Sequence, residues 1–189
     1  MNTSLNINFR KTALVLIDLQ KGIVPADRSG KVVPNARELV DAFKGNDGFI
    51  SFVNVVFHDG TDALKTETDA PQQASGKQPP DWAEFVPEIG VTENDYTVTK
   101  RQWGAFFGTD LDLQLRRRGI DTIVLCGIAT NICVESTARE AFQLGYQQIF
   151  ITDAMAAFSE EQHESTLRFI FPGIGKSRTA EEFLTQVRC

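Results

Sequence analysis

Residues 121–153 read DTIVLCGIATNICVESTAREAFQLGYQQIFITD. The stretch divides into three parts. Residues 121–128 are a continuous apolar run rich in β-branched side chains, the pattern of a parallel strand buried on both faces. From about Asn131 the spacing changes to a helical one. Val134, Ala138 and Ala141 fall on one face, and Gly145 punctuates the end. Residues 147–153 return to a strand-like pattern. Strand, crossover helix and strand make a βαβ unit, which requires parallel pairing.

The alternation continues on both sides of this unit. TALVLID (12–18), FISFVNVVF (49–57) and YTVTK (96–100) read as strands, with a further short one near 174–178. Between the first two, residues 34–46 carry Leu39, Val40 and Phe43 at helical spacing, with Pro34 early and Gly45 late. In 109–120, TDLDLQLRRRGI, Thr109 is placed to cap a helix. Asp110 and Asp112 favour its positive end, Arg116 to Arg118 its negative end, and Gly119 closes it. The arginine run is therefore helix chemistry and not a binding patch. Residues 159–171 and a segment from Ala180 supply two more helices. The expectation is one domain over residues 1–189, a three-layer α-β-α fold whose mostly parallel, doubly wound sheet has helices on both faces.

Composition narrows the functional class. With 42% hydrophobic and 23% charged residues the chain is ordinary for a soluble globular domain. A net charge of −6 excludes the basic surface that nucleic acid requires. No apolar run reaches the length of a membrane span. The opening MNTSLNINFRKT has no apolar core of the secretory kind. Three cysteines are too few for a disulfide scaffold. These features predict free thiols and a cytoplasmic setting. Only residues 59–95 break the alternation. They are polar and turn-rich, and include Trp82, Phe85 and Val86. So long a connection serves as a lid or a subunit contact, or is simply a solvated insertion.

In a doubly wound sheet the ligand crevice lies at the carboxyl ends of the strands. Those ends carry Asp18, His58, Lys100, the turn 127–133 and Asp153. Cys126 lies within a strand, where a thiol is a small inert hydrophobe. Cys133 falls in the first turn of the following helix, where unpaired N–H groups and the dipole favour an anion. That setting predicts a lowered thiol pKa and a nucleophile. No C-x-x-C pair suggests a redox couple, and no Cys/His cluster completes a zinc site. A nucleophile, a carboxyl and a cation at three strand ends of one sheet point to a site.

The motifs ALVLIDLQKGI from Ala13, TKRQWGAFFGTDLDLQLRRRGIDTIVLCGIATNICVESTAREAFQLGY from Thr99 and ITDAMAA from Ile151 resemble those of the isochorismatase-like hydrolases. That superfamily includes nicotinamidases and other small-amide hydrolases. The resemblance spans nearly the whole chain. It implies that Asp18, Lys100 and Cys133 occupy catalytic triad positions. It further implies that Ile128–Ala129 is a cis peptide, that the backbone N–H groups of Ala129 and Cys133 form an oxyanion hole, and that the protein is a homo-oligomer, a dimer or tetramer.

The chain departs from nicotinamidases where those carry an Asp/His metal site. It has VNVVFHDGTDAL there, and its only histidines are His58 and His163. His163 reads as a surface residue of a late helix. No metal and no cofactor is expected, and nicotinamide is a poor fit. Gln20, His58, Trp103, Phe106 and Phe107 are candidates for the pocket wall, with ordinary packing as the alternative for the aromatic group. The expected activity is hydrolysis of a small-molecule amide or imide through a Cys133 thioester. Vinyl-ether hydrolysis with Asp18 as general acid is the alternative, and a non-catalytic assembly protein with a relic triad is a second.

Overall fold

The computed structural model describes Leu5 and residues 7–27, 29–69 and 78–187. Cys189 and residues 70–77 of the 59–95 excursion lie outside them. Six strands form one sheet: β1 (Thr12–Ile17), β2 (Phe49–Val55), β3 (Tyr96–Lys100), β4 (Thr122–Ile128), β5 (Gln147–Ala156) and β6 (Lys176–Arg178). All pairings are parallel and the order is β3-β2-β1-β4-β5-β6. The chain therefore winds outward from β1 to β3, returns to the centre at β4 and winds outward again. The reversal lies between β1 and β4, which is where such a sheet opens a crevice.

Six helices cover the sheet: α1 (Val32–Gly45), α2 (Leu111–Arg117), α3 (Glu135–Gln143), α4 (Glu160–Phe169), the single turn α5 (Phe171–Ile174) and α6 (Ala180–Val187). Period-two alternation assigns each strand residue to one side. Leu14, Leu16, Phe52, Val124 and Cys126 pack with α1 and α6. Val15, Ile17, Val53, Ile123 and Leu125 pack with α2 and α3. The result is the three-layer fold. Every residue of β1 is buried, as its unbroken apolar run requires. Gly119 leaves α2 at φ +68 as expected, but the residue preceding Leu111 is Asp110, whose side chain makes no cap. Thr109 supplies the cap from one position earlier, its Oγ1 accepting from Leu111 N at 3.2 Å.

Part of the excursion is anchored beside the sheet. Gln20 bridges Phe85, Val86 N donates to Leu19 O at 3.1 Å, and Lys21 N donates to Glu84 O at 2.9 Å. The Lys21 ammonium adds ion pairs to Asp81 and Glu84. An added Cβ at Gly22 would stand 1.9 Å from the Trp82 ring, so the indole rests directly on this backbone. No helix among the described residues is long and apolar enough to cross a membrane.

Candidate active site

Asp18 follows β1 immediately, with a left-handed φ of +54 that few non-glycine residues adopt. Its N–H donates to Val53 O at 2.9 Å, which fixes the carboxyl above the sheet. Beside it Gly127 has φ +126, and a Cβ there would fall 2.0 Å from Ile17 O. Only glycine permits the backbones after β1 and β4 to approach so closely. The approach brings the turn after β4 over Asp18.

Lys100 closes β3. Its Nζ lies 2.7 Å from Asp18 Oδ2, with both side chains wholly buried, and also donates to Gln102 O at 3.1 Å. Asp18 Oδ1 is buried and without a hydrogen-bond partner among the described residues. The Cys133 thiol acts on this carboxyl in the sense that favours its charged form, against the effect of burial. Two strand ends and one turn thus bring together the acid, the cation and the sulfur.

The turn carrying Cys133 is not the α-helical first turn expected from sequence. Thr130–Val134 is a turn of π-helix, closed by Val134 N donating to Ala129 O at 3.1 Å, and α3 begins only at Glu135. The wider turn is a form that recurs at functional sites. The Ile128–Ala129 peptide is cis. The Ala129 N–H is directed at the Cys133 sulfur and favours its anion. Thr137 holds the turn from α3, donating to Cys133 O at 2.7 Å and accepting from Ala105 N at 3.1 Å.

The electrostatics correct a second expectation. The Cys133 thiol is pushed up to about 12, first by burial and then by the Asp18 charge, with Lys100 and the Ala129 N–H opposing. Asp18 is raised as well, by burial that outweighs Lys100. The helix-terminus effect argued from sequence is smaller than the cost of burial. One cation faces two groups that can be anionic, so the closed site favours a single negative charge. The Cys133 thiol therefore keeps its proton beside the Asp18 carboxyl. Cys126 is also pushed up to about 12, by burial alone. The two thiols differ in neighbours and access, since Cys133 is partly exposed and Cys126 fully buried.

A cleft of about 730 Å³ opens over these residues, lined among others by Asp18, Lys100, Cys133, Ile132, Trp82 and Trp103. Trp82 comes from the excursion. Of the proposed wall residues only Trp103 lines the cleft. Phe106 is buried in the core against Tyr146, with ring centroids 5.7 Å apart, and Phe107 is exposed on the surface. Gln20 is fully buried and holds β1 to β2: its Oε1 accepts from Val55 N at 2.8 Å and its Nε2 donates to Val55 O at 3.1 Å. His58 is exposed and outside the cleft. Its N–H is bound by Asp62, which also pairs with Arg101. The residues after β2 therefore do not fit a metal site, and no group of three or more His, Cys, Asp or Glu among the described residues is placed to hold an ion.

His163 is not the plain surface residue its helix suggested. It is half-buried, with Nδ1 2.8 Å from the hydroxyl of the fully buried Thr130. Trp82, named in the sequence only as part of the lid or contact excursion and not as a pocket residue, lines the cleft.

Comparison with known proteins identifies the family and the fold. The family description "Isochorismatase domain" matches residues 12–182. The isochorismatase family protein YwoC of Bacillus subtilis (strain 168) is 80% identical over 189 residues, all of both chains. The ureidoacrylate amidohydrolase RutB of Azorhizobium caulinodans is 41% identical over 97 residues, 50% of this chain and 42% of that one. Among solved structures, an isochorismatase family protein from Burkholderia thailandensis superposes with a TM-score of 0.90 at 44% identity, over 98% of both chains. The N-carbamoylsarcosine amidase from Thermoplasma acidophilum superposes with a TM-score of 0.69 at 26% identity, over 91% of this chain and 98% of the other.

Proposed function

The chain belongs to the isochorismatase family of hydrolases, and from that premise we propose that it cleaves a C–N bond of a small amide or imide through Cys133. The observation that carries the reading is the dry Asp18–Lys100 pair set against a partly accessible thiol, with the Ala129 N–H on its sulfur. Two relatives with amidase names, the ureidoacrylate amidohydrolase and the N-carbamoylsarcosine amidase, support the same class of bond.

The chemistry follows from a protonated thiol set beside a carboxyl. When the substrate carbonyl meets the sulfur, the thiol proton moves to Asp18 as the S–C bond forms, and the site's net charge is unchanged. The negative charge then sits on the carbonyl oxygen, which the N–H groups of Ala129 and Cys133 would stabilise as an oxyanion hole. The tetrahedral species collapses by breaking the C–N bond, and Asp18 returns its proton to the departing nitrogen. Water next attacks the thioester carbonyl with Asp18 taking a proton from it. The S–C bond breaks and the thiol is restored. Lys100 supports both anionic forms of the pair without itself transferring a proton. The indoles of Trp82 and Trp103 suit a flat or apolar acyl group.

One observation favours a second reading. Burial raises Asp18, so it can hold a proton and serve as general acid toward a vinyl ether. A panel of small amides scored by ammonia release, run beside Cys133→Ala, tests both. Release by the parent and none by the variant supports the thioester route. No release from any amide, with vinyl-ether turnover intact in Cys133→Ala, overturns it.

A further inference from the structure

We propose that His163 is a positioning residue that holds the Ala129–Cys133 turn in its working shape through the hydroxyl of Thr130. The inference rests on the thioester reading for its catalytic meaning, though its geometry can be tested without a substrate.

Thr130 is the first residue of the π turn and follows Ala129 directly, the residue whose N–H addresses the sulfur. It is fully buried, and its Oγ1 is 2.8 Å from His163 Nδ1. No other hydrogen bond of that hydroxyl is present among the described residues. A buried hydroxyl without a partner costs free energy, so this one is tied to the imidazole or the turn must rearrange. The imidazole comes from α4, 33 residues further along the chain. Its place on that helix is itself fixed. Ser159 caps α4 by accepting from Gln162 N. One turn beyond His163, Thr166 donates to Glu135 Oε2 at 2.7 Å, and Glu135 is the first residue of α3.

His163 and Thr166 are three apart and share a helix face. Together they join α4 to the beginning and to the end of the segment that carries Cys133. The turn is therefore held from α3 by Thr137, at the Cys133 carbonyl, and from α4 by His163, next to the donor that faces the sulfur. Charged groups of two other segments and of α4 itself line a recess together with His163: Asp27 and Lys31 before α1, Asp153 on β5 and Glu160 at the start of α4. The bond to Thr130 uses Nδ1 whichever tautomer the ring adopts, as acceptor in one and donor in the other.

The test separates positioning from mere stability. Cys133 alkylation by iodoacetamide is followed against pH in His163→Ala, His163→Asn, His163→Gln, Thr130→Val and Thr130→Ser, with thermal melts of each. An asparagine amide reaches the position of Nδ1; a glutamine amide reaches that of Nε2. His163→Ala and Thr130→Val should slow alkylation at pH 8 by about tenfold, the size of one hydrogen bond to a charged group, and move the profile up by about one unit. His163→Asn and Thr130→Ser should recover most of the rate, and His163→Gln should not. The double variant His163→Ala with Thr130→Val should be no slower than either alone. Lower melting temperatures with unchanged alkylation profiles would overturn the proposal and leave only a structural bond. Equal rescue by Gln and Asn would overturn it too. If the profiles shift as expected while Cys133→Ala still hydrolyses substrate, the positioning stands and the thioester reading fails.

Discussion

Replacing Lys100 by Met keeps much of the side-chain volume and removes the charge. It leaves Asp18 wholly buried with no cation at 2.7 Å. Breaking a buried pair in this way costs about 3–5 kcal/mol while the remaining charge persists. That penalty drives the carboxyl further up than burial beside Lys100 already does. In the unfolded chain Asp18 titrates near its ordinary 3.8, whereas in the folded variant it keeps its proton to much higher pH. Between those two values the folded state binds more protons, so stability falls as pH rises. The lost donor to Gln102 O adds about 1 kcal/mol at every pH. Urea melts of parent and Lys100→Met at pH 5 and pH 8 should therefore show a difference that is larger at pH 8 by about 2 kcal/mol or more. A difference equal at both pH values would refute the claim that Lys100 compensates a buried carboxylate. Lys100 also opposes the rise of the Cys133 thiol, so its removal should carry the alkylation profile of Cys133 to more alkaline pH.

Cys133→Ala should abolish amide turnover, and adding Asp18→Asn should make it little worse, because members of one catalytic unit are not additive; steady-state rates of the two singles and the double decide it. Brief iodoacetamide treatment followed by peptide mapping should label Cys133 before Cys126, since one thiol is partly exposed beside Asp18 and the other is sealed under α1 and α6; the reverse order would sink the assignment. We propose that the protein assembles as a homo-oligomer, given the exposed Phe107, Phe142 and Phe169, and light scattering at micromolar concentration should exceed the mass of a single 21.0 kDa chain.

β1 and β4 were legible because burial on both faces leaves an unbroken apolar run, which the short, polar β3 and β6 lack. The positions of Asp18, Lys100 and Cys133 at strand ends followed from that pattern and the switch-point rule. The π turn was not legible, because a shift from the fourth to the fifth residue in hydrogen bonding leaves no mark in the apolar spacing, and its contacts with Thr137 and His163 come from residues outside the turn. The acidity of Cys133 was misjudged for a related reason. Position on a helix can be read in sequence, but the depth of burial that outweighs it is a property of the packed layers. Gln20 and Phe106 turned out to be scaffold, one holding two backbones together and one filling the core. An amide or a ring at a given spacing looks the same in either role. The partner of His163 is 33 residues away, and a lone histidine in a polar helix announces no such contact.

The burial that keeps the Cys133 thiol protonated has a consequence for durability. Peroxide and other oxidants attack thiolate, and a sulfur that stays protonated at rest presents little of it. The same burial that raises the thiol therefore shields it between turnovers. On the proposed mechanism, full reactivity toward substrate develops only as a carbonyl arrives and Asp18 takes the proton. A site arranged this way needs no resolving cysteine, and among the described residues none stands near Cys133, since the other free thiol belongs to the opposite face of the sheet.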